Sequence, residues 1–209
     1  ISVQGEVMDA ALADAIKAAL GNYPQVRQTY YEEVFVAVFD YLDGSGAVTA
    51  SRNAMKRAMV NAFGPTAEIA WEDGGGTLPI DEDVSAWVTA MIDGELGYID
   101  ELFQKLKQIR KGEDVQKAAI AQARAEGYAG TLDKVYNYVK VAAAGNIMLT
   151  FAGDDGAESC TDCSRYKGKR HKAKWWIQNN AVPPNRDFEC KGYNCRHALV
   201  DDSGKVWTL

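Results

Sequence analysis

The chain has little of what most enzymes and secreted proteins are built around. Among 209 residues there are two histidines, four cysteines and five prolines. No His-Glu-x-x-His or His-x-Glu run is present, which argues against the common zinc hydrolase and deaminase arrangements. No stretch of 18 uninterrupted apolar residues occurs, so the sequence offers no membrane span. No signal-like segment is recognisable, and there is no internal repeat or low-complexity tract. Positive charge is also short: the net charge is −6. Residues 151–209 carry ten Lys/Arg and eight Asp/Glu, a net of +2, which leaves −8 for the rest. An acidic body of that kind does not wrap nucleic acid over its whole surface.

What is present is an ordinary apolar fraction and a helical pattern. Val7–Leu20 is Ala-rich with apolar residues every three or four positions, and Gly21-Asn22 closes it. Pro24 stands at a first helical turn, followed by Val26, Tyr30, Val34, Val38 and Tyr41 on one face. Asp43-Gly-Ser-Gly46 is a turn. As an EF-hand loop it fails, because Arg52 falls where the bidentate Glu belongs. Thr49–Phe63 predicts a third helix that Gly64-Pro65 stops, with a loop through Gly74-Gly75-Gly76 to residue 80. Asp81 is an N-cap for a helix from about Val84 to Arg110, weakened at Gly94 and Gly97. Glu113–Glu126 and Leu132–Ala144 read as two further helices, separated by Gly127 and Gly130, with Thr131 capping the second. Ile147–Phe151 is a strand leaving the helical region, and Gly153–Gly156 a turn. The terminal His197–Val200 and Lys205–Leu209 read as a β-hairpin.

All four cysteines fall near the end, as Cys160-x-x-Cys163 and Cys190-x4-Cys195, with 26 residues between the pairs. Thiolates at such spacings can converge on one tetrahedral cation, with Zn²⁺ the usual occupant, and disulfides or free thiols are the alternative. Six donors compete for four places. Cys160, Cys163, Cys190 and Cys195 are the simplest set; Cys160, Cys163 and Cys195 with His197, leaving Cys190 free, is the rival. His171 reads as a surface or turn residue. Four protein ligands close the coordination sphere, which makes the expected zinc structural rather than catalytic. A Cys195–His197 nucleophile lacks an evident orienting group. Between the pairs run Arg165, Lys167, Lys169, Arg170, Lys172 and Lys174, followed by Trp175-Trp176. Basic residues beside aromatics are what a single-stranded nucleic-acid contact uses; a solvated hairpin whose tryptophans cover a small core uses the same residues. The expected architecture is mainly α: a helical body over residues 1–146 and a small zinc-stapled β-ribbon module over 147–209.

The order Cys-x-x-Cys, Lys-Gly-Lys turn, Trp, Pro and Cys-x-Gly-x-x-Cys-Arg-His resembles the C-terminal motif of bacteriophage head-morphogenesis proteins, the Mu F-like minor head proteins. The matching residues are Cys160, Cys163, Gly168, Trp176, Pro183, Cys190, Gly192, Cys195 and Arg196. Family members often end the motif in Cys-Arg-Cys, where this chain has His197. The resemblance covers the C-terminal part alone, and the helical region fits the family's layout without diagnostic residues. It implies a non-enzymatic virion or head-assembly protein near the portal and inner head. The implied partners are portal, capsid or scaffold proteins, with at most weak contact to packaged DNA. The implied location is the virion, and the host cytoplasm during assembly. The rival readings are a zinc-ribbon nucleic-acid module using residues 165–174, and a phage-associated enzyme or toxin.

Overall fold

The computed structural model describes residues 22–110, 116–153, 159–185, 187–192, 195 and 197–208. The expected helix Val7–Leu20 lies outside them, as do the start of the expected helix at Glu113, most of the turn 153–156, and Arg196. The described fold is mainly helical, with one small antiparallel sheet near the C-terminal end.

Among the described residues four long helices come first: α1 (Tyr23–Asp43), α2 (Val48–Asp73), α3 (Glu82–Ile109) and α4 (Lys117–Ala143). Helix α1 starts with Pro24 in its first turn, where a missing N–H costs nothing, and ends on Gly44 in the left-handed region. Its buried face is Val26, Tyr30, Val34, Val38 and Tyr41, the stripe its spacing predicts. Helix α3 begins at Asp81, whose carboxylate accepts the Asp83 N–H at 3.0 Å. Helices α1, α2 and α4 pack on one another, while α3 lies chiefly against α2.

Two expected breaks are absent. Helix α2 does not stop at Gly64-Pro65 but runs on to Asp73 with Pro65 inside. Phe63 before the proline and Ala67, Ile69 and Ala70 after it are all buried in the bundle. Burial of both segments on one face outweighs the roughly 3 kcal/mol that an interior proline costs. Likewise α4 is one helix, not two. Ala121, Ala125, Ala129, Leu132, Val135 and Val139 form an unbroken buried stripe through Gly127 and Gly130, against a cost of about 1 kcal/mol per glycine. Thr131 is therefore no cap: it is mid-helix, with its hydroxyl donating to the Gly127 carbonyl at 3.4 Å. Gly94 and Gly97 do not split α3 either. The glycine run 74–76 closes a packed turn. A side chain on Gly76 would meet the Trp71 indole at 2.7 Å or less, and that indole donates to the Thr77 carbonyl at 2.9 Å.

After α4 come β1 (Met148–Gly153), α5 (Thr161–Tyr166), β2 (Arg170–Lys172), α6 (Ala173–Gln178) and β3 (His197–Asp201). The sheet order is β2-β1-β3, all antiparallel, with Leu149 opposite His171 and Gly153 opposite His197. The segment between the cysteine pairs is thus a helix–strand–helix rather than a hairpin. The expected terminal hairpin is reduced to β3 and a single bridge between Val200 and Val206. Residues 23–139 supply one apolar cluster. A second joins Val141 and Ala144 at the end of α4 to Leu149, Phe151, Trp176, Phe188, Leu199 and Trp207. Trp176 is its centre, fully buried, 5.8 Å from the Phe151 ring and donating to the Leu149 carbonyl at 3.2 Å.

Candidate metal centre

Cysteine and histidine side chains come within metal-binding distance of one another at the edge of this second cluster. The ligand atoms of Cys160, Cys163 and Cys190 all lie within 4.8 Å of each other, and so do those of Cys163, Cys195 and His197. Cys163 belongs to both groups and is buried. Two thiolates on one zinc sit roughly 3.8 Å apart, given a zinc–sulfur bond of about 2.3 Å. The four cysteines named from their spacing are therefore brought together with His197. Cys190 stands with the first pair, not apart from it. His171 is elsewhere, stacked on Trp175 at 3.8 Å.

Local backbone geometry explains the convergence. Cys160 precedes the first turn of α5, and its sulfur accepts the Cys163 N–H at 3.4 Å. Gly192, at φ +74°, lets the chain turn back after Cys190 in a conformation that disfavours any side chain. The two cysteine segments are then clasped reciprocally. The Glu189 carboxylate accepts the Thr161 N–H at 2.9 Å, and the Asp162 carboxylate accepts the Glu189 N–H at 2.8 Å. The hydrogen bond from the Thr161 N–H holds the Glu189 carboxyl below its usual range. His197 is placed by β3. Its ring fits over β1 because residue 153 is glycine: a Cβ there would approach its Nε2 to 2.6 Å. Ser159 Oγ lies 3.1 Å from Nε2, and Nδ1 faces Cys195 Sγ at 3.8 Å.

The donor chemistry fits a borderline-soft divalent cation. Burial pushes the Cys163 thiol well up, reinforced by its hydrogen bond to Cys160 and by the neighbouring sulfurs. Burial, more than the hydrogen bonds around it, also raises Cys190. For Cys160 burial acts upward too, but the N–H groups of Cys163 and Cys190 and the adjoining thiols outweigh it and lower the thiol. Burial, followed by the nearby Lys167 charge, lowers His197, which keeps its imidazole neutral and able to coordinate. Thiols this crowded ionise together only beside an opposing charge, which a divalent cation would supply. One Cys–His pairing of the sort a nucleophile needs exists at Cys195. Among the described residues its histidine meets a serine hydroxyl, and other thiols crowd the same space.

The basic stretch falls on several short elements. Arg165, Lys167, Lys169, Arg170, Lys172 and Lys174 are exposed, on α5, the following turn, β2 and α6. Arg170 is paired with Asp202, its Nε 3.0 Å from the carboxylate. Arg165 and Lys169 lie over the Tyr166 ring at 5.6 and 5.7 Å. Trp176 is buried and presents no face to a base.

Ser159, Asp162, Glu189 and Gly153 are the site residues that spacing arguments miss. None is a metal ligand type at ligand spacing except the two carboxylates, and only the fold shows whose backbone those hold. No helix of the described residues is long and apolar enough to cross a membrane. Comparison with protein-family models, with curated proteins and with solved structures finds no match.

Proposed function

We propose that this chain is a bacteriophage minor head protein, acting without catalysis in head assembly, whose C-terminal module is held by one structural zinc ion. The observation that carries the reading is the gathering of Cys160, Cys163, Cys190, Cys195 and His197, residues of the phage-type motif, into two overlapping groups that share Cys163. When bound, zinc supplies charge neutralisation for the thiolates and a covalent-strength staple. The chain's own residues aim N–H groups at the sulfurs, clasp the two cysteine segments through Asp162 and Glu189, and orient His197 through Ser159. The partners under this reading are portal, capsid or scaffold proteins. The exposed lysines of the module give packaged DNA a weak, sequence-independent contact, with Trp176 withdrawn into the core.

Two measurements test this. Elemental analysis of protein purified without chelator is expected to give near-stoichiometric zinc; two disulfides and no metal would overturn the staple. Mass spectrometry of purified, nuclease-treated particles is expected to find the chain in procapsids and virions. Its absence from both would overturn the assembly role.

A further inference from the structure

We propose that Cys195 and His197 are interchangeable as the fourth metal ligand, so that the cluster holds five donors for four places. This inference rests on the zinc reading above and goes on to settle how the ion is held.

Three observations carry it. First, the donors fall into two overlapping groups, not one. Cys160, Cys163 and Cys190 form the first, and Cys163, Cys195 and His197 the second. A four-coordinate ion seated on the first group takes its remaining ligand from the second, and two atoms are on offer there. Second, Cys195 Sγ and His197 Nδ1 are 3.8 Å apart. An ion that one of them reaches is within a small side-chain movement of the other. Third, the imidazole is built in rather than left over. It is 5 % exposed, Gly153 vacates the space its ring fills, Ser159 engages Nε2, and Phe151 packs at 5.3 Å. That arrangement spends Nε2 on an orienting hydrogen bond and leaves Nδ1 as the coordinating atom, the division of labour typical of metal-bound histidines. Both sites sit on or just before β3, so whichever donor is not on the ion stays beside it.

Redundancy makes Cys163, shared by both groups, indispensable and either member of the Cys195/His197 pair dispensable. The test is cobalt(II) and zinc titration of the full chain under reducing conditions. Cys195→Ser and His197→Ala are each expected to bind one metal per chain, within about a hundredfold of the parent affinity, the size of an outer-shell perturbation. Cobalt absorption is expected to report three thiolates in Cys195→Ser and four in His197→Ala. The double variant is expected to lose the metal. Loss of stoichiometric binding in either single variant, despite a metal-binding parent, overturns the redundancy and leaves the zinc reading standing. A parent chain that takes up no metal overturns the zinc reading itself. Should a single variant fold poorly, the parent decides. Iodoacetamide added to the zinc-loaded chain is expected to alkylate one thiol, Cys195, its sulfur displacing iodide, with the zinc retained. Protection of all four thiols, or zinc release in step with alkylation, overturns the proposal.

Discussion

The helical bundle and the C-terminal module solve the same problem with different means. The bundle buries long stripes of Val, Leu, Ile, Met, Phe and Tyr from helices of 21 to 28 residues, and polar pairs only trim its edge. One such pair joins α1 to α4: the Asp133 carboxylate takes Arg27 at 2.7 and 2.9 Å and also accepts the Tyr23 hydroxyl. Among the described residues the module has three short strands and two helices of six residues, arranged around Trp176. Elements that short bury too little apolar area to offset their chain entropy. The module therefore relies on clasps, on its contact with the end of α4, and on the thiol cluster at its edge. Under the zinc reading proposed above, the size of the buried face decides which region uses an ion.

The largest expected difference between the regions follows from Cys163→Ser. Metal binding in modules of this type is largely folding free energy, on the order of 10 kcal/mol. The variant is expected to keep most of its helical circular dichroism while residues beyond about 147 become protease-sensitive. Whole-chain unfolding would show instead that the two clusters are one cooperative unit. Next come core truncations, which are expected to separate the regions from the other side. Phe63→Ala, fully buried in the bundle, is expected to cost about 3–5 kcal/mol by denaturant titration and to leave metal affinity unchanged. Trp176→Ala is expected to cost a similar amount and to weaken the metal. A Phe63 variant with impaired metal binding would erase the distinction.

Smaller effects sharpen the comparison within the module. Gly153→Ala forces the His197 ring away, because its Cβ would fall inside contact distance of the imidazole. A cost of about 1–3 kcal/mol is expected, read as a lower thermal midpoint together with a changed cobalt spectrum. Acid supplies the mildest perturbation. Hydrogen bonds to Thr161 depress the Glu189 carboxyl below its ordinary 4.5, so its clasp contributes fully above that pH and fades as pH falls through the folded value. Asp201 accepts from Ser203 and the Trp207 indole, which bring its carboxyl down to about 2. Its turn therefore persists to lower pH, losing its contribution between 3.8 and about 2. At neutral pH, Glu189→Gln and Asp201→Asn are each expected to lower the thermal midpoint of the module, and an unchanged midpoint in either would contradict the role given to that carboxylate.

Much of this was readable from residues alone, and the failures are instructive. The stripe of α1, the Asp81 cap, the β1 strand and the gathering of the cysteines follow from spacing, because each is a local pattern; spacing offers His197 only as an alternative that leaves Cys190 free, whereas both lie close to Cys163. Pro65 and the Gly127–Gly130 pair misled because local breakers were weighed without the burial on either side of them. A proline or a glycine costs a few kcal/mol at most, less than a helix face gains in a packed bundle. The Arg165–Lys174 stretch reads as one basic run in sequence; its residues fall on α5, β2, α6 and the turn between them, and the neighbouring Trp176 is buried. The Asp162–Glu189 clasp and the Ser159–His197 contact join residues 27 and 38 positions apart. No periodicity announces such pairs.

The most direct test of the central claim is amide hydrogen exchange on the full chain, with and without a zinc chelator. The account predicts that chelation removes protection from peptides covering 148–153, 161–178 and 197–201, while peptides of α1, α2 and the first three-quarters of α4 stay protected. Unchanged protection in the module after confirmed metal removal would contradict it.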